Sequence, residues 1–304
     1  MRAIRAAVGL ALSTGLIAGA VGCSQDNKAA SDHTASVVAS TNVWGSVASA
    51  IAGDHASVKS IISNPEQDPH SFEATPSDAA AITDATLVVY NGGGYDHWVD
   101  DVLAGHQGVA AVDAYSLLPA VGPQPANEHV FYDLETVKSV GNQIADKLSQ
   151  ADAGHADDYR ANAAKFADQA DTIAAAERAI GAAHPGATVV ATEPVAHYLL
   201  TNSGITDKTP QGFTKAIEGD SDPSPADLAA VLDLIKTRQV SALVYNTQTQ
   251  TDVTKQLENA ANQASVPVIS VTETLPAGVD YLTWQRQTVD QMANQLDKAP
   301  QASR

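Results

Sequence analysis

The chain has 304 residues, with 35 acidic side chains against 17 basic ones and a formal net charge of −18. That balance repels phosphate backbones and leaves a nucleic-acid role unsupported. A single cysteine excludes an intrachain disulfide, so the fold must rest on its core alone.

Residues 1–22 carry Arg2 and Arg5, an apolar run from Ala6 to Val21, then Gly22 and Cys23. Basic start, short apolar run and small residues before a cysteine make a signal peptide, and the run is short for a spanning helix. Ala20-Val21-Gly22-Cys23 resembles the lipobox of bacterial lipoproteins, with Ala20 where that pattern prefers leucine. Cleavage before Cys23 and lipid attachment to its sulfur are therefore expected, a plain secretory peptide being the alternative. Residues 23–35 are small, polar and aperiodic, the composition of a flexible tether.

From Ser36 onward, short β-branched runs alternate with helical stretches, which predicts strand-helix-strand units in a parallel sheet. The first series has strands at Ser36–Ser40, Val58–Ile62, Thr86–Asn91 and Val109–Asp113, with helices around Val43–Ala52, Pro76–Ile82 and His97–Ala104. Next comes a helix with Val137, Val140, Ile144 and Leu148 on one face. A longer one over His155–Gly181 carries Tyr159, Ala163, Phe166, Ala170, Ile173 and Ile180 at helical spacing. At 1.5 Å per residue this strut runs roughly 40 Å, enough to join two lobes and to limit hinge bending. A second series follows, with strands at Ala187–Thr192, Thr209–Lys215, Val240–Asn246 and Val266–Val271 and helices from Pro194, Pro225 and Val253. The expected organisation is an N-terminal α/β lobe over 36–150, a linking helix over 151–183 and a C-terminal α/β lobe over 184–300. Thr75-Pro76-Ser77-Asp78 and Ser224-Pro225-Ala226-Asp227 start helices with the same device, a capping hydroxyl, proline first inside and an acid at the third position.

Four residues of metal-ligand type stand beside strand ends or loops: His70 within Asp68-Pro69-His70-Ser71-Phe72-Glu73, His129 within Asn127-Glu128-His129-Val130-Phe131, Glu193 and Glu273. Open parallel sheets bind ligands beyond the carboxyl ends of their strands, where Glu193 and Glu273 fall. Each has a plainer alternative. Glu193 before Pro194 could complement a helix N-terminus. Glu273 could be a surface acid, with Asp280 or water completing the shell, and His197 could rival Glu193 from the same helix face. Gly92-Gly93-Gly94 lacks the spacing of a phosphate loop and is expected to be a tight turn.

In this order the motifs resemble the TroA-like metal receptors, the solute-binding subunits of bacterial zinc and manganese ABC importers. An Asp-Pro-His followed by an aromatic-acidic stretch and Thr-Pro-Ser-Asp spans Asp68 to Asp78. A second histidine precedes an aromatic residue and aspartate at His129 to Asp133, a glutamate follows a strand in Ala191-Thr192-Glu193-Pro194, and a last acid lies in Thr272-Glu273-Thr274. Glutamate replaces the usual aspartate at Glu273. Asn91-Gly92 and Pro223 to Leu228 extend the likeness. The resemblance implies an α/β fold of two lobes, each a four-stranded mainly parallel sheet flanked by helices, joined by one long backbone helix. It also implies His70, His129, Glu193 and Glu273 as metal ligands, Zn²⁺ or Mn²⁺ as cargo, and a membrane permease with its ATPase as partners. A monomeric, lipid-anchored, non-enzymatic receptor on the extracytoplasmic face of the cell membrane is expected. A surface adhesin of the same fold is an alternative class. A zinc hydrolase is less well supported, since no His-Glu-x-x-His occurs.

Two imidazoles and two carboxylates suit Mn²⁺ if the carboxylates bind through both oxygens and Zn²⁺ if four single contacts form a tetrahedron. Zinc receptors of the family that the chain resembles often use a third histidine and carry a histidine-rich acidic loop before the second ligand; residues 101–128 hold only His106, a departure that tilts the expectation toward manganese while leaving zinc or Fe²⁺ open. Imidazoles bind metal only when neutral, so capture is expected to weaken below about pH 6.5.

Overall fold

The computed structural model describes residues 35–65, 67–119, 126–219 and 221–299. The signal peptide, Cys23 and the tether up to residue 34 lie outside the described residues.

In chain order the first half contains β1 (Ala35–Thr41), α1 (Asn42–Ala52), β2 (Ala56–Ile62), α2 (Pro76–Asp84), β3 (Leu87–Tyr90), α3 (His97–Ala104) and β4 (Ala111–Asp113). Two helices follow, α4 (Leu134–Ala151) and α5 (Ala156–Ala183). The second half contains β5 (Thr188–Ala191), α6 (His197–Asn202), β6 (Thr206–Asp207), α7 (Gln211–Glu218), α8 (Pro225–Lys236), β7 (Ala242–Asn246), α9 (Asp252–Ala264), β8 (Val268–Val271) and α10 (Tyr281–Leu296). Each half builds one four-stranded sheet, ordered β2-β1-β3-β4 and β6-β5-β7-β8, with every pairing parallel. The order reverses direction between β1 and β3 in one sheet and between β5 and β7 in the other, the places where open α/β sheets leave a crevice for ligand.

Period-two alternation sorts the strand residues between layers. Val37, Ala39, Leu87 and Val89 face a core shared with Val189, Ala191, Ala242, Val244, Ile269 and Val271 of the second sheet, while Val38, Val88 and Tyr90 pack on the outer side of the first. Val190, Leu243 and Tyr245 form a separate outer layer on the second sheet. Between the inner faces runs α5, whose 28 residues extend about 42 Å at 1.5 Å per residue. It packs against α1 and α4 on one side and α6 and α10 on the other. A continuous apolar core and an unbroken helix resist hinge bending between the sheets.

The Thr75 hydroxyl accepts from the Asp78 backbone N–H while the Asp78 carboxylate accepts from the Thr75 N–H at 3.0 Å, a complete capping box. At α8 the Ser224 hydroxyl accepts from the Asp227 N–H. Gly92, Gly93 and Gly94 all have positive φ, and a Cβ on Gly92 would meet the Asp113 carboxylate at 2.0 Å, so the turn requires glycine. One expected element is corrected: Thr209–Lys215 is not a strand. The fourth strand is the short β6, and Gln211–Glu218 is helical, burying Phe213 completely. The β-branched Thr209 and Thr214 around Phe213 favour extended backbone locally, and burial of Phe213 on the helical face overrides that preference. The sequence reading also assigns no element beyond Val271, where α10 buries Tyr281, Trp284, Val289, Met292 and Leu296.

Glu177 of α5 is fully buried, and neither carboxylate oxygen has an aligned hydrogen-bond partner among the described residues. Burial, with the charge of Asp133, outweighs Asn202 and Arg178 and pushes its pKa up to about 8. The unfolded chain releases this proton near pH 4.5, so the folded state holds one proton more across the window from about 4.5 to 8. Its contribution to stability is therefore complete below that window and lost as pH rises through it. Glu177→Gln is expected to raise the melting temperature of metal-free protein at pH 8.5 by an amount worth about 1–4 kcal/mol, and to change it little at pH 4.5. Thermal melts at the two pH values check this; an equal effect at both would contradict it.

Candidate metal centre

Strand ends and two loops carry the site. Glu193 lies two residues past β5, Asn246 ends β7, and Glu273 lies two residues past β8. From the other sheet's side, the loop after β2 supplies His70, and the segment before α4 supplies His129. Asp68 fixes the first loop by accepting from the His70 N–H at 2.9 Å. Asn127 fixes the second: its Oδ1 accepts from the His129 N–H at 3.0 Å and lies 3.1 Å from His129 Nδ1. With Nδ1 donating there, His129 Nε2 is left with its lone pair, the form a metal requires.

Glu273 is the convergence point. It is 1 % exposed, and its Oε2 lies 3.1 Å from His70 Nε2 and 3.7 Å from His129 Nε2. Its other oxygen accepts from Asn246 Nδ2 at 2.8 Å. The same Asn246 amide donates to Glu193 Oε2 at 2.5 Å, and the Thr249 hydroxyl donates to Glu193 Oε1. Asn246 thus holds the two carboxylates side by side. Gln248 adds a second brace, its Oε1 accepting from the Glu273 N–H and its Nε2 donating to the Pro65 carbonyl across the cleft. More bonds lock the two sides: Tyr132 Oη donates to the Thr272 carbonyl at 2.9 Å, and Tyr281 Oη donates to the Phe131 carbonyl at 2.7 Å.

The structure brings His70, His129 and Glu273 into direct contact and sets Glu193 beside Glu273 through Asn246. Glu193 does occupy the N-cap position of the short helical turn Pro194–Ala196, but its carboxylate makes no cap bond there and instead accepts from Asn246 and Thr249. Asp280 is committed elsewhere, accepting from the Thr283 N–H as the cap of α10. His197 is exposed on α6 and stacks edge-on with Tyr198, away from the pocket lining. Two supports escaped sequence reasoning, Asn246 and Gln248, because a neutral amide carries no metal-ligand signal. Glu128 escaped as well: its donor atom lies within 4.8 Å of those of His70 and His129, the one such three-residue group among the described residues. Adjacency to His129 in the sequence was the available signal.

Electrostatics follow from burial against charge. Burial pushes Glu273 toward its neutral form, but the His70 hydrogen bond, the two imidazoles and Asn246 outweigh it and hold the carboxyl below its ordinary range. Burial likewise opposes a charged His70, yet Glu273, Glu128 and Asp68 prevail and raise it to about 9. His129, fully enclosed, is pushed down to about 4 by burial. The metal-free centre is therefore a Glu273–His70 ion pair beside a neutral His129. An arriving cation displaces the His70 proton, and that competition sets in at higher pH than the ordinary histidine value implies.

Whether these residues fit a metal ion rests on Glu273 Oε2. It is a buried carboxylate oxygen that faces two imidazole nitrogens yet makes no aligned hydrogen bond. Its charged partner is the protonated His70 imidazole at 3.1 Å, and a buried carboxylate without such a partner costs several kcal/mol. A cation between the two nitrogens and the carboxylates would take over that role. About 80 Å³ of the pocket is open to water-sized occupants, far below the several hundred Å³ typical of organic ligands, so the site suits an ion.

Residues 37–295 match the family described as zinc-uptake complex component A, periplasmic. The chain belongs to this family. Its members are periplasmic solute-binding receptors, not enzymes. Among similar proteins, the manganese-binding lipoprotein MntA of Halalkalibacterium halodurans is 24 % identical over 304 residues, covering 92 % of this chain and 95 % of its own. The periplasmic zinc-binding protein TroA of Treponema pallidum shares the fold with a TM-score of 0.73 at 19 % identity, covering 86 % of this chain and 99 % of its own. The laminin-binding protein Lmb of Streptococcus agalactiae, described as bifunctional with adhesin and metal-transporting activity, has a TM-score of 0.74 at 23 % identity, covering 86 % and 99 %. No helix among the described residues is long and apolar enough to cross a membrane.

Replacing Asn246 with Ala is expected to weaken Mn²⁺ and Zn²⁺ binding by about 10–100-fold while the protein stays folded, since supports that orient ligands typically carry that much affinity. Calorimetric titration of N246A, with a melting curve as the folding control, checks this; unchanged affinity would contradict the role.

Proposed function

We propose that this protein is the receptor of an ABC importer, capturing a divalent transition metal, Mn²⁺ or Zn²⁺, and delivering it to a membrane permease driven by an ATPase. The observation that carries the reading is the buried Glu273 carboxylate oxygen, 3.1 Å from His70 Nε2 and 3.7 Å from His129 Nε2, with Glu193 held beside it through Asn246. His70 and His129 supply neutral nitrogen, and Glu193 and Glu273 supply charge. The permease and ATPase follow from the family; that the receptor acts as a monomer, anchored through Cys23 on the extracytoplasmic face, is part of the proposal. So is its division into a lobe over 36–150, a linking helix over 151–183 and a lobe over 184–300. Relatives named for manganese and a hard, mixed donor set favour Mn²⁺ as cargo. Zn²⁺ is still expected to bind more tightly, as the order of divalent metals dictates.

No observed feature favours the adhesin reading over transport. Hydrolysis is disfavoured, because four protein ligands leave no open position for an activated water.

The His70→Ala, His129→Ala double variant is expected to lose at least about 1000-fold in calorimetric affinity for both ions, three powers of ten being about 4 kcal/mol. Affinity equal to that of the parent protein would overturn the assignment.

A further inference from the structure

We propose that Glu128 is the ligand through which the ion enters and leaves the centre, a role distinct from the four residues that hold it at rest. This rests on the metal-receptor reading above. His70 stands between two carboxylates: its Nε2 faces buried Glu273 at 3.1 Å, and its Nδ1 faces Glu128 at 3.9 Å. Glu273 is closed off from solvent, whereas the Glu128 side chain is 30 % exposed and lines the open side of the pocket. The two carboxylates therefore address opposite nitrogens of the same imidazole, Glu273 on the buried side and Glu128 on the more exposed side. The donor atoms of His70, Glu128 and His129 all lie within 4.8 Å of one another, close enough to share one ion.

The backbone of Glu128 is built for this placement while its carboxylate is kept free. Its carbonyl accepts from Asn91 Nδ2 at 2.8 Å and from the Val130 N–H at 2.7 Å. Asn91 is itself fixed, its N–H donating to Asp96 and its Oδ1 accepting from Trp44 Nε1. The Glu128 carboxylate, by contrast, makes no hydrogen bond among the described residues. Glu193 and Glu273 are braced by Thr249, Asn246 and Gln248, the arrangement of resting ligands. A carboxylate with a fixed base and a head held only by a 3.9 Å ion contact with His70 can bind an incoming hydrated ion, exchange for its water and release it inward to Glu273.

An entry ligand lowers the barrier in both directions, because loading and release pass through the same state. Removing it must slow both rates and leave their ratio nearly unchanged. Two other roles predict different outcomes. If Glu128 only attracts cations to the acidic mouth, as Glu218 would too, removing either acid lowers only the association rate. If Glu128 is a permanent fifth ligand, removing it speeds release and weakens affinity.

The test is stopped-flow mixing of the full chain with Mn²⁺, read by tryptophan fluorescence; Trp284 Nε1 donates to Thr272 beside Glu273 and should report loading. Release is measured with excess chelator. Glu128→Gln is expected to reduce association and dissociation rates each by about tenfold, with the dissociation constant within about twofold of the parent, and Glu218→Gln to reduce association by less than about threefold. Equal association losses in the two variants with unchanged release would overturn the proposal in favour of steering. Faster release with weakened affinity would overturn it in favour of a resting ligand. His129→Ala, run alongside, should abolish binding. If it bound like the parent, the metal-centre reading would fall and the Glu128 role with it, whereas a failure of Glu128→Gln alone leaves the centre intact. Melting curves of each variant exclude misfolding as the cause.

Discussion

A carboxylate withdrawn from water costs several kcal/mol unless positive charge or hydrogen bonds replace the lost hydration. Glu273 is such a carboxylate, placed just past β8 where the second sheet meets loops from the first. Its neighbours are arranged around that need. Asn246 binds one oxygen, Gln248 binds its backbone, and His70 and His129 from the other side face the second oxygen. In the metal-free form a protonated His70 supplies the missing charge. On the proposed reading a divalent ion would supply more of it, reaching both imidazoles and both carboxylates at once, so that the attraction between Glu273 and His70 is the same attraction that would draw in a cation.

Such a centre functions only if the two sheets hold their spacing, and the fold provides for that in three ways. One core runs through both inner faces, α5 packs against helices of both halves, and hydrogen bonds cross the cleft beside the site itself. Asn42 pairs with both the N–H and the carbonyl of Leu275, and the Phe131 carbonyl accepts from both Tyr281 and Gln285. Loading therefore needs movement of side chains more than of whole sheets. This is the setting in which the proposed role of Glu128 gains importance: with little opening of the cleft, the ion would have to be passed inward by ligand exchange.

Much of this was legible in the sequence. Alternating β-branched runs and helical periodicity announced two parallel sheets, and the apolar stripe from Tyr159 to Ile180 announced the strut, because both signals come from burial on one face. His70 and His129 were visible through the Asp-Pro-His and His-aromatic contexts. Glu193 and Glu273 were visible through their position after strands. Less visible was anything that depends on neutral polar groups or on short elements. Asn246 closed a predicted strand and Gln248 drew no reading; their importance lies in what they touch far along the chain, the Glu273 carboxylate 27 residues on for Asn246 and the Glu273 backbone N–H 25 residues on for Gln248. The two residues of β6 are too few for a period, and the Thr-rich stretch after it imitated a strand until Phe213 found its place in the core. Glu128 drew no reading of its own, since only the folded loop sets its carboxylate 3.9 Å from His70 Nδ1.

The claim on which everything else depends is that four side chains from two sheets close on one ion. Anomalous diffraction from crystals of Mn²⁺-loaded protein tests it directly. The account predicts a single strong peak with His70, His129, Glu193 and Glu273 each within about 2.0–2.4 Å, metal-ligand distances for nitrogen and oxygen donors. A peak elsewhere, or one contacting the histidines without either buried glutamate, would contradict it.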